Sequence, residues 1–334
     1  MRNAIPHLLV FIFAALIFQP ILLHADYKQA VALYSQGQYS KAIQELKADL
    51  DQNPDWESGH RLLGLCYLGL GNNSLAASEL SQAVKLKSPA FSTYYGLGLA
   101  YFNMQKYDSS IGALNQGESI AAKEKDTEKA KLYKLRGAAN YRSGKFSEAV
   151  SDLTSAIRAG QSDWSDYSTL GAAYLSLDRI DEGIQALEKS LSMKAGQNET
   201  TSLLSKAYLS KGISSLTDKQ YPAAMQSLLK AKDFDPKNGN IYYRLGEAYL
   251  LQKKYSEAEK ILSQAIDLQP NNADAYTRIG TVYENQKKWD LALDAYKKAD
   301  QINPSKILKD SIQRVTENKK IPDQKAPAQK PKTR

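Results

Sequence analysis

The residues of this chain that can carry covalent or metal chemistry are few and scattered. Its single cysteine, Cys66, excludes a disulfide framework and any cysteine-based zinc or haem site. Of the three histidines, His7 and His24 precede residue 26, so His60 is the only one in the rest of the chain. We find no glycine-rich phosphate loop, no Ser/His/Asp arrangement and no cluster with metal-ligand spacing. The sequence therefore predicts a protein without a catalytic site, a metal or a cofactor.

Both remaining candidates fall inside a predicted helix, where a packing role is expected. His60 takes the place of a large residue in that helix, and Cys66 takes the place of a small one. We expect both to be buried, and Cys66 to be unreactive, because reactive thiols need a basic and partly exposed setting. The 21 tyrosines also recur at helix-packing positions, so we expect nearly all of them to be structural.

A small residue recurs in the middle of each predicted first helix and marks an internal repeat. These anchor residues are Ala30, Gly64, Gly98, Gly137, Gly171, Gly212, Gly246 and Gly280. Five of the seven intervals between them are 34 residues, and the other two are 39 and 41. A sustained period of this length is typical of stacked helix–turn–helix units.

The last two units show the repeated motif most fully. In the first of them the motif residues are Tyr242, Leu245, Gly246, Tyr249, Tyr255, Ala258, Leu262, Ala265, Leu268 and Pro270. In the second they are Tyr276, Ile279, Gly280, Tyr283, Trp289, Ala292, Tyr296, Ala299, Ile302 and Pro304. Apolar residues at this spacing give each helix a buried stripe, and proline ends the second helix.

The motif resembles the tetratricopeptide repeat family over about residues 26–304. The resemblance implies an all-α fold, a right-handed α-α superhelical solenoid of about eight helical hairpins. Such arrays work by binding other proteins, so it also implies an interaction protein and not an enzyme. Arg136 and Lys211 stand where the family usually has leucine, and we expect them to weaken those single repeats.

The two long intervals add residues before the fourth and sixth first helices. They place five extra residues between 120 and 133, and seven between 193 and 208. We expect longer first helices there, with Asp126 and Asn198 as their N-caps. Tolerated loop length and a functional change of superhelical angle both remain open as reasons for the added residues.

The N-terminal residues 1–25 have the features of an export signal. Arg2 is followed by the apolar run Leu8–Phe18, and Ala25 suits cleavage before Asp26. An uncleaved membrane anchor is the alternative, because Ile5–Leu23 carries no formal charge and is long enough to span. Both alternatives place the repeats outside the cytoplasm, as an exported protein that is periplasmic, secreted or anchored facing outward.

The C-terminal region divides into a predicted capping helix, residues 305–319, and a basic tail, residues 320–334. The helix has apolar residues at helical spacing, which would cover the last face of the array: Ile307, Leu308, Ile312 and Val315. The tail is rich in proline, lysine and glutamine, and we expect it to be disordered.

The net charge of +8 lies mainly at the C-terminal end of the chain. Residues 305–334 hold nine Lys or Arg against three Asp or Glu, which leaves residues 26–304 close to neutral. The tail lacks interleaved aromatic residues, so we predict no nucleic-acid partner.

The family resemblance implies that first helices line a concave groove, with the ligand facing the residues near each anchor. The groove residues it suggests are Arg61, Leu65, Tyr95, Leu99, Phe102, Lys134, Tyr141, Arg142, Tyr243, Arg244, Glu247 and Arg278. Simple surface exposure remains an alternative for each of them. An apolar stretch beside a basic stretch favours an extended peptide or a helix with some acidic residues. Family members that bind chaperone C-termini pair a Lys with an Asn, but Ala138 stands one turn after Lys134.

The preferred functional prediction is a non-enzymatic scaffold or adaptor of the cell envelope or periplasm that binds an unidentified protein. A membrane would be contacted only through an uncleaved N-terminal anchor. The alternative is a regulatory or carrier subunit of an envelope enzyme or of an export or assembly machinery.

Overall fold

The computed structural model describes residues 27–121, 126–160 and 162–320, so the predicted leader and nearly all of the basic tail lie outside it. All regular structure in these ranges is α-helical, which confirms the predicted all-α array of helical hairpins. None of the helices in these ranges has the length and apolar character needed to cross a membrane.

The chain forms two compact units, of which unit 1 ends at Asp178 and unit 2 begins at Arg179. The helices of unit 1 are α1 (27–35), α2 (Tyr39–Gln52), α3 (Glu57–Gly69), α4 (Asn73–Lys85), α5 (Phe91–Asn103), α6 (Tyr107–Ala121), α7 (Asp126–Arg142), α8 (Phe146–Arg158) and α9 (Trp164–Ser176). Those of unit 2 are α10 (Ile180–Met193), α11 (Asn198–Thr217), α12 (Tyr221–Phe234), α13 (Gly239–Leu251), α14 (Tyr255–Leu268), α15 (Ala273–Asn285), α16 (Trp289–Ile302) and α17 (Lys306–Lys319). Odd-numbered helices up to α15 are the first helices of hairpins. Within each unit, neighbouring first helices contact one another.

The anchor glycines let the two helices of a hairpin approach closely. A Cβ atom added at Gly98 would lie 2.7 Å from Cγ of Leu114, and one at Gly246 would lie 2.5 Å from Cγ of Leu262. Both leucines are completely buried, so the second helix inserts its largest core side chain where the first helix has none. The recurring small residue is therefore a packing requirement, because close-packed interiors leave no room for an extra methyl group.

The two insertions lengthen first helices, as predicted. Helix α7 has 17 residues and α11 has 20, whereas α3 and α13 have 13 each. The prediction that Asn198 caps α11 is wrong, because the cap position is Gln197. The buried Gln197 amide instead accepts hydrogen bonds from Ser190 and Thr200, which ties the insertion to α10. Asp126 is the first residue of α7, and the residue before it lies outside the described ranges.

Arg136, one of the two residues in a usual leucine position, is held in a polar network between α6, α7 and α8. Its guanidinium donates to both carboxylate oxygens of Asp152 at 2.9 and 2.8 Å, and to both oxygens of Glu118 at 2.8 and 3.2 Å. Asn140 donates to Asp152 as well, at 2.9 Å. The fourth repeat therefore replaces an apolar contact with charge-assisted hydrogen bonds.

Helix α17 packs on α16 at the C-terminal end of unit 2. Leu308 and Val315 are buried against Ala292 and Ala299. Ile307 was expected in the same apolar stripe, but its side chain points away and is 75 % exposed. The reason is helical spacing, because Leu308 and Val315 are seven residues apart and share a face that Ile307 does not.

An ion pair adds to this apolar contact and makes the attachment of α17 depend on pH. The Arg314 guanidinium donates to both oxygens of Glu284 on α15, at 2.8 and 3.0 Å. These hydrogen bonds hold the pKa of the Glu284 carboxyl below its ordinary value of 4.5. The stabilisation is fully present above that ordinary value and is lost as pH falls through the lower folded-state pKa.

We therefore expect Arg314→Gln to lower the free energy of unfolding of the chain at neutral pH and to have no effect in sufficiently strong acid. Urea unfolding at a series of pH values, followed by tryptophan fluorescence, to which Trp289 beside α17 contributes, measures the difference between the two proteins. A difference that stays constant across the acid range would contradict this role of Glu284.

Candidate protein-binding surfaces

The residues suited to covalent chemistry are held in structural roles. Cys66 is completely buried, as predicted, and burial raises the pKa of its thiol to about 11. His60 is largely buried, but its contacts are polar: Nδ1 lies 2.7 Å from Glu79 Oε2 and Nε2 lies 2.8 Å from the Pro54 carbonyl oxygen. Among the described residues, no three His, Cys, Asp or Glu side chains are placed to hold a metal ion.

Unit 1 has a mainly apolar cavity of about 400 Å³, which we name the N-terminal groove. It collects three of the predicted residues, namely Leu65 on α3 with Tyr95 and Leu99 on α5. Its other lining residues are Tyr34, Leu68, Gly69, Phe91, Ser92, Gly96, Glu128 and Lys131. The groove is therefore built by α1, α3 and α5, with a charged rim supplied by α7.

The composition of α5 explains why this groove is apolar. The helix contains no charged residue in its 13 positions. Phe91 and Tyr95 stack with ring centroids 5.6 Å apart. The missing side chain of Gly96 lets Leu65 and Leu68 approach α5, since a Cβ atom there would lie 3.1 and 3.3 Å from them. Leu68 was missed at the sequence level, although its position one turn after Leu65 is a signal that would have found it.

Most of the predicted basic side chains of unit 1 are neutralised by the protein itself. Lys134 Nζ lies 2.9 Å from a carboxylate oxygen of Asp163 and 2.9 Å from one of Asp166. Burial works to raise the pKa of Asp163, but hydrogen bonds from Ser165 and Lys134 lower it to about 2. Lys134 therefore serves to hold the start of α9, and this region offers little free positive charge to a ligand.

Two of the remaining basic residues of unit 1 are paired with other side chains, and the third is exposed. Arg61 lies 3.4 Å from Glu57 and donates to the Tyr27 hydroxyl at 3.3 Å. Lys131 on the groove rim pairs with Glu128 at 2.9 Å. Arg142, at the end of α7, has an exposed side chain.

Two predicted aromatic residues lie outside the N-terminal groove and pack within their own hairpins. Phe102 contacts Tyr107, with ring centroids 5.5 Å apart, and Tyr141 contacts Phe146 at 5.8 Å. Both are half-buried. Each packs near the end of a first helix against the aromatic residue that begins the second helix.

The four residues predicted in unit 2 form one cluster, which we name the C-terminal arginine cluster. Arg244 Nη1 donates to Glu247 at 3.0 Å, and Arg278 Nη2 donates to the other oxygen of the same carboxylate at 2.6 Å. Tyr243 lies beneath Arg244, whose guanidinium carbon is 4.9 Å from the ring centroid. The expectation that Tyr243 and Glu247 line an open groove is wrong, because they are only 7 and 8 % exposed.

Comparison with known proteins identifies the repeat along most of the chain. Tetratricopeptide repeat profiles match residues 27–91, 61–124, 167–197, 215–279 and 273–306. Together these matches cover well over half of the sequence.

Curated relatives share this repeat but are much longer proteins. Hsp70-Hsp90 organizing protein 3 of Arabidopsis thaliana is 28% identical over 218 residues, which are 63% of this chain and 36% of that protein. RNA polymerase II-associated protein 3 of Homo sapiens is 28% identical over 140 residues, which are 42% of this chain and 20% of that protein. The chain thus spans about a third or less of the length of these relatives.

Solved structures with similar helices include one of MamA, with a TM-score of 0.41 and 26% identity over 55% of this chain and 98% of MamA. The repeat profiles, together with the regular alternation of helices in both units, lead to one assignment. This chain belongs to the tetratricopeptide repeat family.

Proposed function

We propose that this chain is a non-enzymatic adaptor of the cell envelope or periplasm that binds a peptide or helix of a partner protein in the N-terminal groove. The observation that carries the proposal is the unfilled apolar cavity of about 400 Å³ beside Leu65, Tyr95 and Leu99. Water-exposed apolar surface costs roughly 25 cal/mol per Å², so a partner side chain that fills this cavity gains affinity. Burial raises the pKa of the Tyr95 hydroxyl, which stays protonated and able to donate a hydrogen bond.

The relatives support a role in protein assembly. One of them is named as an organizing protein for Hsp70 and Hsp90. In this chain Lys134 is engaged with Asp163 and Asp166, so we do not extend the proposal to chaperone C-termini.

A charge placed in the cavity tests the groove. We expect Leu99→Glu to lower recovery of the partner from an envelope fraction by about tenfold or more, because an unpaired carboxylate would be buried on binding. The matched control is Leu75→Glu, since Leu75 is 49 % exposed on α4 and lies outside the cavity. Equal recovery by the two variants would contradict binding in this groove, provided that circular dichroism shows both to be folded.

The proposed envelope location depends on residues 1–25 and is tested separately. N-terminal sequencing of the protein from cell fractions should find a chain that starts at Asp26 in the exported fraction, or an intact N-terminus in the membrane fraction. An intact chain in the cytoplasmic fraction alone would contradict export.

A further inference from the structure

We infer that the C-terminal arginine cluster is a second binding subsite, which recognises a side-chain carboxylate of the partner. The inference rests on the proposed function, because it assigns part of the same partner to unit 2. Arg244 and Arg278 lie 34 residues apart, at equivalent positions of the neighbouring first helices α13 and α15. They bring two guanidinium groups to one carboxylate.

Glu247 fixes the positions of both guanidinium groups but accepts only one hydrogen bond from each. Its two oxygens bind one Nη atom of each arginine, and its side chain is 11 % exposed. The side chains of Arg244 and Arg278 are 33 and 42 % exposed, and the buried Nε of Arg244 has no hydrogen-bond partner. An arginine that is already fixed loses less rotamer freedom when it binds a ligand, and this favours affinity.

The cluster carries one more positive charge than negative charges. Two arginines share one glutamate, and the hydroxyl of Tyr243 beside them stays neutral because burial raises its pKa. Glu284, also on α15, is occupied by Arg314. Asp274 is the other acid on α13 or α15, and it is exposed one turn before Arg278. No ion pair joins Asp274 to the cluster within the described part of unit 2.

A carboxylate is the ligand that suits this arrangement. Guanidinium groups present planar forks of N–H donors that match two carboxylate oxygens, and such charge-assisted pairs are among the stronger hydrogen bonds. Lys134 in unit 1 already has two carboxylates, whereas the two arginines of this cluster share one, so an acidic residue of the partner is expected at unit 2.

The test uses the full chain and a short fluorescein-labelled peptide of glycine, serine and glutamate with both ends blocked, at low ionic strength. We expect Arg278→Gln to weaken binding of this peptide by about tenfold. Arg278→Lys keeps the charge but loses the fork, and should weaken it by about threefold. Asp274→Asn removes a competing charge and should strengthen it by about twofold.

Three controls distinguish binding at this subsite from binding elsewhere on the chain. Arg142→Gln removes an exposed cation of unit 1 and should leave the affinity unchanged, as should removal of residues 321–334. Leu99→Glu, which tests the proposed function, should also leave it unchanged, so the two proposals can fail independently. Circular dichroism checks that Arg278→Gln is folded, which we expect because Arg244 still pairs with Glu247.

Several results would overturn the inference. They are equal affinity of wild type and Arg278→Gln, loss of binding with the tail alone, and equal binding of a blocked peptide with glutamine in place of glutamate. Binding that requires a free peptide C-terminus would also overturn it, because it would assign the contact to a chain end and not to an acidic side chain.

Discussion

Arg136→Ala should lower the free energy of unfolding of the chain by about 3–5 kcal/mol, because it leaves a buried carboxylate without its counter-ion. The side chains of Arg136 and Asp152 are only 12 and 8 % exposed, and two hydrogen bonds join them. Without the arginine, Asp152 keeps only the hydrogen bond from Asn140. Urea unfolding followed by circular dichroism measures the loss.

An exposed ion pair of the same unit is the matched control. Lys145 and Asp108 lie 2.8 Å apart, but their side chains are 44 and 76 % exposed. We expect Lys145→Ala to have little effect on the free energy of unfolding, since solvent screens such pairs. The double replacement of Arg136 and Asp152 by apolar residues should cost less than Arg136→Ala, because no charge then remains buried. A loss for Arg136→Ala no larger than that for Lys145→Ala would show that the network contributes little.

Two glycines of the third hairpin should respond to the same substitution with opposite signs. Gly98→Ala places a Cβ atom 2.7 Å from Cγ of the buried Leu114, and we expect it to cost about 1–3 kcal/mol. Gly112→Ala has no neighbouring atom within 4 Å, and alanine is the better helix former by about 1 kcal/mol. Gly112→Ala should therefore stabilise the chain.

Thermal or urea unfolding of the two single variants and of the double variant tests this prediction. The effects should add, because the contacts made by the two added methyl groups are different. If Gly98→Ala were neutral, the repeated small residue would not be a packing requirement, and close helix approach would not account for its period.

The sequence by itself determined the local structure and the order of the helices. The 34-residue spacing of residues such as Gly212, Gly246 and Gly280 is preserved because each hairpin packs mainly on its immediate neighbours, so short-range patterns suffice. The greater lengths of α7 and α11 followed from the two intervals that are longer than 34 residues. The apolar character of Leu65 and Leu99 was also visible, since equivalent positions of neighbouring first helices fall side by side.

Only the tertiary structure decided which charged side chains are available to a ligand. Lys134 and Arg278 look alike in the sequence, but Lys134 has the carboxylates of Asp163 and Asp166 within 2.9 Å, whereas Arg278 shares Glu247 with Arg244. These partners lie roughly one repeat away along the chain, on other helices. Electrostatic neutralisation depends on distances of a few ångströms between such groups, which are set by how the hairpins stack.

The same reasoning applies to the N-terminal groove. Tyr34, Leu68 and Phe91 come from three different helices, and the sequence pattern of each is also that of an ordinary core residue. Residue type and periodicity place a side chain on the face of a helix, but a cavity is what remains after several faces have packed. The sequence therefore determined which helices form and which faces are apolar, and the packing of those faces decided where this protein leaves apolar surface open for a partner.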